Sequence, residues 1–134
     1  MLDFNKKIIE EFRANGGVVG APFENAPLLL LGTTGAKSGE HRTNPLAYLD
    51  EGERLIIIAS FAGAPTNPPW YYNLQANPEV TLEVGTDKYQ ALASVVKEPE
   101  RSELYAKMAA VMPAFAEYEQ KTTRVIPVIA LTRK

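Results

Sequence analysis

Two turn sequences, each between short runs of strand-forming residues, constrain the fold more than any other feature of the chain. The segment TNPLAYLDEGERLIIIAS is typical of two strands joined at Asp50-Glu51-Gly52, and EVTLEVGTDKYQALASVV of a second hairpin turning at Gly85-Thr86-Asp87. A buried strand in PLLLLGTT and a last strand in RVIPVIALTR bring the number to six. Pro127 in that last run indicates a sheet edge or a bulge. The pattern predicts a small antiparallel β-barrel rather than a βαβ sheet.

Helical patterns flank and interrupt these strands. Residues 3–15 carry Phe4, Ile8 and Phe12 at four-residue spacing before an Asn-Gly-Gly stop, which predicts an amphipathic helix. Its apolar face either packs on the core, rests on a membrane or gates a pocket. Asn67 is expected to cap a short helix that begins at one of the two following prolines, and PERSELYAKMAAVM predicts another helix.

Composition narrows the class of protein. The 134 residues are expected to form a single domain, 1–134, with the amphipathic helix in 1–16 and the barrel in 27–134. A net charge of −2 argues against a general nucleic-acid binder. The chain has no cysteine and one histidine, so we expect no metal site. It has no signal-peptide pattern and no apolar run of the roughly 20 residues that span a membrane, so we expect a cytoplasmic protein.

The connection TGAKSGEHR, after the first strand, has the residue types of an anion site. Glycines let backbone N–H groups turn inward, Lys37 and Arg42 supply charge, and Ser38 supplies a hydroxyl donor. A P-loop is excluded because Ala36 stands where that motif requires glycine. A solvated turn is the alternative, and Arg42, entering a strand beside the loop, favours the anion site.

A second cluster lies in ASFAGAPTNPPWYYNLQANP. Its small residues leave a strand end open for a flat ring to approach main-chain donors; they are Ala59, Ser60, Ala62 and Gly63. Trp70 and Leu74, four residues apart in the following helix, are expected to be core anchors.

Three segments in order, TTGAKSGEHRTNPL, ASFAGAPTNPPWYYNLQANPEVTLEV and TTRVIPVIALT, resemble the deazaflavin-dependent nitroreductase family, split β-barrel proteins that use coenzyme F420. The resemblance covers residues 28–132, nearly the whole chain. It implies an α+β fold, mainly β with helices. The expected architecture is a six-stranded split β-barrel of the FMN-binding type, with an N-terminal helix and inserted short helices.

The resemblance also implies roles for individual residues. In the family's Gly-Arg-Lys-Ser-Gly loop the lysine and serine grip the cofactor phosphate, which here implies Lys37 and Ser38, together with Gly39 and Arg42. Ala36 replaces the family's first arginine, so one phosphate or tail contact is missing or supplied elsewhere. The residues expected to line or border the deazaflavin ring are Asn44, Pro45, Leu46, Ala59, Ser60, Ala62, Gly63 and Pro65. Asn73 resembles part of the helix-capping and loop-fixing set.

An acceptor pocket is implied before the last strand. Places that hold tyrosines in the family's best-known nitroreductases fall here at Met112, Phe115 and Tyr118, although a plain amphipathic stripe explains them equally well. Tyr118 is the first candidate proton donor, with Ser60 or an ordered water second. His41 is expected to have a structural or anion-pairing role.

The expected function is F420H2-dependent reduction, in which hydride passes from the deazaflavin to a small-molecule acceptor that is quinone-like, an enone or a nitroaromatic compound. The first alternative is a non-catalytic protein that binds deazaflavin or a lipid-like ligand on the same barrel. The second is a flavin-binding oxidoreductase. We expect a monomer or weak homodimer without an integral membrane segment, and peripheral membrane contact stays open.

Overall fold

The computed structural model describes residues 3–19 and 27–134. The predicted domain bounds also include residues 1–2 and 20–26, which lie outside the described residues. Seven strands, four α-helices and one short 3-10 turn follow in the order α1 (Asp3–Ala14), β1 (Leu28–Thr34), β2 (His41–Ala47), β3 (Leu49–Asp50), β4 (Arg54–Ile58), the 3-10 turn (Phe61–Gly63), α2 (Pro69–Ala76), β5 (Glu79–Val84), β6 (Asp87–Val95), α3 (Glu100–Val111), α4 (Ala114–Lys121) and β7 (Val128–Arg133).

One antiparallel sheet contains all of these strands, in the order β2-β1-β5-β6-β7-β4-β3. The predicted α+β class is confirmed, as are both hairpins, whose turns include Gly52 and Gly85 at positive φ. The predicted number of six strands is wrong by one. The run TNPLAYL breaks at Tyr48, whose backbone N–H donates to Pro27 O at 3.2 Å, so that β2 pairs with β1 whereas β3 pairs with β4.

Pro127 does not mark a sheet edge or a bulge. β7 begins one residue later, at Val128, and lies between β6 and β4 inside the sheet. Because proline has no N–H for a strand ladder, it stands just before this interior strand, where its carbonyl accepts from Ala59 N–H at 3.0 Å.

The amphipathic helix α1 packs on the sheet. Ile8 and Phe12 are buried in a cluster with Leu28 and Leu30 of β1, which supports the core-packing alternative over the other two. The side chain of Phe4 lies outside the described residues. No helix within 3–19 and 27–134 has both the length and the apolar character needed to cross a membrane.

The other helices pack on the sheet in two larger apolar clusters. α2 contributes Trp70 and Leu74 to one of them, as predicted for core anchors, and α3 and α4 contribute Met108 and Phe115 to the other. The predicted cap of α2 is wrong, because Pro68 takes the N-cap position and Pro69 begins the helix.

Candidate active site

The loop between β1 and β2 is closed by its own backbone. Gly35 N–H donates to Glu40 O at 2.7 Å, and Gly39 N–H donates back to Gly35 O at 3.0 Å. A Cβ on Gly35 would lie 2.5 Å from Ser38 Oγ, so only glycine allows this tight approach. The chain therefore folds back on itself immediately beside Lys37.

Free hydrogen-bond donors remain on this loop. Glu40 N–H donates to Ser38 Oγ at 3.1 Å, which leaves the serine's own proton to be donated elsewhere. The N–H groups of Lys37 and Ser38 have no acceptor in the part of the chain that the structure describes. Lys37 has no carboxylate partner there either, whereas Arg42 pairs with Glu40 at 2.9 Å. An uncompensated ammonium with a hydroxyl and two amide donors fits a phosphate group.

Asn73 of α2 ties this loop to the sheet. Its side-chain Oδ1 accepts from Ala36 N–H at 3.0 Å, and its Nδ2 donates to Thr33 Oγ1 at 3.2 Å. Thr33 is buried at 1% exposure, so the end of this anchor at the sheet is shielded from water, whereas the end at Ala36 is exposed. Asn73 thus has the loop-fixing contacts that the resemblance implied.

One cavity adjoins the loop, and a second cavity shares a wall with the first. The first, of about 740 Å³, is lined by Lys37, Ser38 and Arg42. The second, of about 660 Å³, lies between the end of β4 and α4. Asn44, Pro69 and Trp70 line both cavities, which places the two volumes along one groove. Each volume falls within the roughly 300–1,000 Å³ of small-molecule sites.

The structure brings most of the predicted site residues to this groove. Those lining the second cavity are Asn44, Pro45, Leu46, Ser60, Ala62, Met112, Phe115 and Tyr118. Four others line neither cavity: Gly39, Ala59, Gly63 and Pro65. Ala59 belongs instead to the core cluster under α2, because alternate residues of an extended chain face opposite sides and its neighbour Ser60 faces the cavity. Gly63 packs against α4, and Pro65 is exposed. Gly39, at φ 72°, forms the turn of the loop between β1 and β2, residues 35–40 (the anion loop).

The far end of the second cavity is mainly apolar. Tyr118 packs edge-on against Phe115, with ring centroids 5.4 Å apart. Neither the Tyr118 nor the Ser60 hydroxyl has a hydrogen-bond partner within the described ranges.

Tyr105 donates to Phe115 O at 2.6 Å, and burial raises the pKa of Tyr105 to about 12, so its hydroxyl stays protonated and holds α4. His41 lies outside both linings, with Nε2 3.2 Å from Thr43 Oγ1.

One wall of the second cavity has a strained backbone. Phe61 and Ala62 adopt left-handed φ angles of 48° and 54°, which non-glycine residues rarely do. Arg124 holds this wall through bonds of 2.7 Å to Ser60 O, 2.9 Å to Ala64 O and 2.7 Å to Asn67 Oδ1. The role of Arg124 could not be predicted from the TTRVIP motif in which it lies, because its partners are 57 to 64 residues away and no spacing pattern connects them.

Known proteins are similar to this chain in sequence and in fold. A model of the family F420H(2)-dependent quinone reductase matches residues 5–133. A Mycobacterium tuberculosis protein named F420H(2)-dependent quinone reductase is 36% identical over 129 residues, which cover 92% of this chain and 85% of that protein. The solved structure of F420-H2 Dependent Reductase (FDR-A) is 37% identical, with a TM-score of 0.72 over 78% of this chain and 93% of that one. A structure described as a domain-swapped dimer is 33% identical, with a TM-score of 0.75 over 96% and 97%. The predicted split-barrel fold and deazaflavin-dependent resemblance are therefore confirmed, and the chain belongs to the F420H(2)-dependent quinone reductase family.

Proposed function

We propose that this chain reduces a quinone-like acceptor with F420H2, which lies along the groove from the Lys37 loop to α4. The observation that carries the proposal is the wall of Asn44, Pro69 and Trp70 common to both cavities. It joins a donor-rich loop suited to phosphate with an apolar pocket suited to a flat ring.

The anion loop holds the phosphate of the cofactor. Lys37 supplies the charge, the Ser38 hydroxyl and the two free N–H groups supply directed hydrogen bonds, and Asn73 keeps the loop in place. Arg42, already paired with Glu40, contributes less net charge. Ala36 removes one cation relative to the family's pattern, which lowers affinity for the anionic part of the cofactor without changing its identity.

The second cavity holds the ring and the acceptor. When bound, F420H2 supplies a hydride from C5 of its reduced ring. The residues proposed to orient that ring are Asn44, Pro45, Leu46, Ser60 and Ala62. Met112, Phe115 and Tyr118 face the acceptor, and their apolar surface excludes water from it. Because only one of the family's tyrosines remains, an apolar quinone fits better than a polar nitro compound.

One proton must accompany the hydride, because a quinone that gains a hydride becomes a hydroquinone anion. Tyr118 is the proposed donor, since its hydroxyl is free of partners within the described residues and its ring lines the cavity. Ser60, which lines the same cavity, is the second candidate. The donor is then reprotonated from solvent.

Mixing the purified protein with F420H2 and menadione, and following the deazaflavin absorbance, tests this function. We expect F420 to bind, F420H2 to be oxidised only when menadione is present, and FMN to bind poorly. Binding without oxidation would favour a non-catalytic carrier. FMN binding as tight as F420 binding would overturn the assignment of the cofactor.

Assembly and location are part of the proposal. We propose a monomer or weak homodimer that works in the cytoplasm on a small-molecule acceptor. The relative described as a domain-swapped dimer supports the homodimer option. Sedimentation at several protein concentrations measures the state directly, and a concentration-independent dimer would contradict weak association.

A further inference from the structure

We infer that Arg124 is a positioning residue, which holds the backbone of residues 60–64 in the conformation that lines the second cavity. This inference rests on the proposed function, because the wall it concerns is the one proposed to orient the cofactor ring. Arg124 itself lines neither cavity, so it acts through the residues that it binds.

The contacts of Arg124 form a clamp on one loop. Its Nε donates to Ala64 O at 2.9 Å and one terminal nitrogen donates to Ser60 O at 2.7 Å, so the two bonds flank the three residues of the 3-10 turn. The other terminal nitrogen donates to Asn67 Oδ1 at 2.7 Å. A guanidinium presents these donors in a fixed planar fork, which the single ammonium of lysine cannot reproduce.

The clamped residues are the strained ones. Phe61 and Ala62 have left-handed φ angles in succession, and such conformations persist only where the surrounding structure imposes them. Gly63, at φ 80°, packs against α4, where an added Cβ would lie 3.0 Å from Tyr118 O. The turn is therefore held by Arg124 on one side and by the helix that carries the proposed proton donor on the other.

Loss of the clamp has a predictable consequence. The turn can then relax toward ordinary φ angles, and Ser60 and Ala62 leave their places in the cavity wall. Because a displacement of about 1 Å at a reacting centre can lower a rate by about 100-fold, turnover is sensitive to this movement. Affinity for the cofactor falls as well, without loss of any direct contact from Arg124.

Arg124→Gln, with Arg101→Gln as a matched control, separates positioning from general stability. Arg101 also donates to a backbone carbonyl, Ile126 O at 3.0 Å, and lines neither cavity. It is the more demanding control for stability, since Arg101 is buried whereas Arg124 is half-buried. We expect both variants to melt at a lower temperature. Only Arg124→Gln should raise the dissociation constant for F420, by about tenfold in a fluorescence titration, which corresponds to about 1.4 kcal/mol of binding free energy lost through the displaced wall. The dissociation constant of Arg124→Lys for F420 should lie between those of the wild type and Arg124→Gln. If Arg124→Gln does not fold, Arg124→Lys is compared with Arg101→Gln in its place.

Ala62→Gly tests the role of strain. Glycine adopts positive φ without cost, so Arg124→Gln should weaken F420 binding less in an Ala62→Gly background than in the wild-type background. An equal loss in both backgrounds would overturn the strain argument. Unchanged F420 affinity in a folded Arg124→Gln, with a melting shift like that of Arg101→Gln, would overturn the inference alone. Absence of F420 binding by the wild type would overturn the proposed function and this inference together.

Discussion

The side-chain oxygen of Asn73 accepts a hydrogen bond from the backbone N–H of Ala36 at 3.0 Å, across 37 positions of sequence. The same side chain donates to the buried Thr33 on β1. One amide on α2 thereby fixes the loop that carries Lys37 relative to the strand before it. The position of the anion loop therefore depends on a side chain of α2.

Asn73→Ala should loosen that loop. It leaves Thr33 Oγ1 and Ala36 N–H without their partner, so we expect a loss of about 1–3 kcal/mol in the free energy of unfolding, together with weaker F420 binding. Gln75→Ala is the matched control, since Gln75 is exposed on the same helix and its side chain donates to Tyr71 of that helix. Urea unfolding and a fluorescence titration measure both effects. An affinity for F420 as high as that of Gln75→Ala would show that the loop needs no support from α2.

Lys37→Ala should weaken F420 binding by about 1.5–3 kcal/mol, the range for a hydrogen bond to a charged group. The fold should be unaffected, because Lys37 is exposed and forms no ion pair within the described chain. Lys97→Ala, an exposed lysine beside α3, controls for the change in net charge. Unchanged affinity in a folded Lys37→Ala would place the phosphate elsewhere.

Tyr118→Phe should leave F420 affinity and thermal stability intact but lower kcat by about 10²–10⁴-fold if the hydroxyl donates the proton. Tyr105→Phe is the complementary variant, because that hydroxyl holds Phe115 O in the core. It should lower the free energy of unfolding by about 1–2 kcal/mol with little effect on kcat at low temperature. Steady-state assays with menadione beside melting curves compare the two. Wild-type kcat in Tyr118→Phe would remove Tyr118 from the mechanism.

The attachment of α1 to the sheet should depend on pH. Arg13 forms two bonds to Glu83, at 3.1 and 2.8 Å, and these hold the pKa of Glu83 below its usual value of 4.5. A lowered pKa in the folded state means that the stabilisation is complete above 4.5 and is lost as pH falls through the lowered value. Since Arg13 is half exposed, the pair contributes at most about 1 kcal/mol.

Urea unfolding of wild type and Arg13→Gln measures this dependence. The difference in unfolding free energy should be present near neutral pH and should shrink toward about pH 3. Lys97→Gln, at an exposed lysine outside this pair, is the charge control. A difference that stays constant over this range would mean that the ion pair does not link α1 to β5.

Local sequence patterns predicted the hairpins and the residue types of the candidate site. The hairpin turns could be predicted because both of their signals are local. A glycine that adopts positive φ and an alternation of apolar and polar strand residues each occupy only a few consecutive positions. The residue types of the anion loop were also readable, since Lys37 and Ser38 are neighbours in sequence. Local patterns predicted one strand where the structure has two, β2 and β3. The break at Tyr48 depends on a hydrogen bond from its N–H to Pro27 O, a residue of another segment.

The sequence by itself determined the chemistry that this protein carries, namely the cationic loop, the open strand end and the apolar segment before the last strand. Only the tertiary structure decided that these three segments lie along one groove. Asn44, Pro69 and Trp70 meet in one wall because β1 pairs with β2 and α2 packs beneath them. Arg124 acts on Ser60 because β7 pairs with β4, which brings segments 64 residues apart side by side. Such contacts depend on which strands are neighbours in the sheet, and no short-range pattern of residues encodes that order.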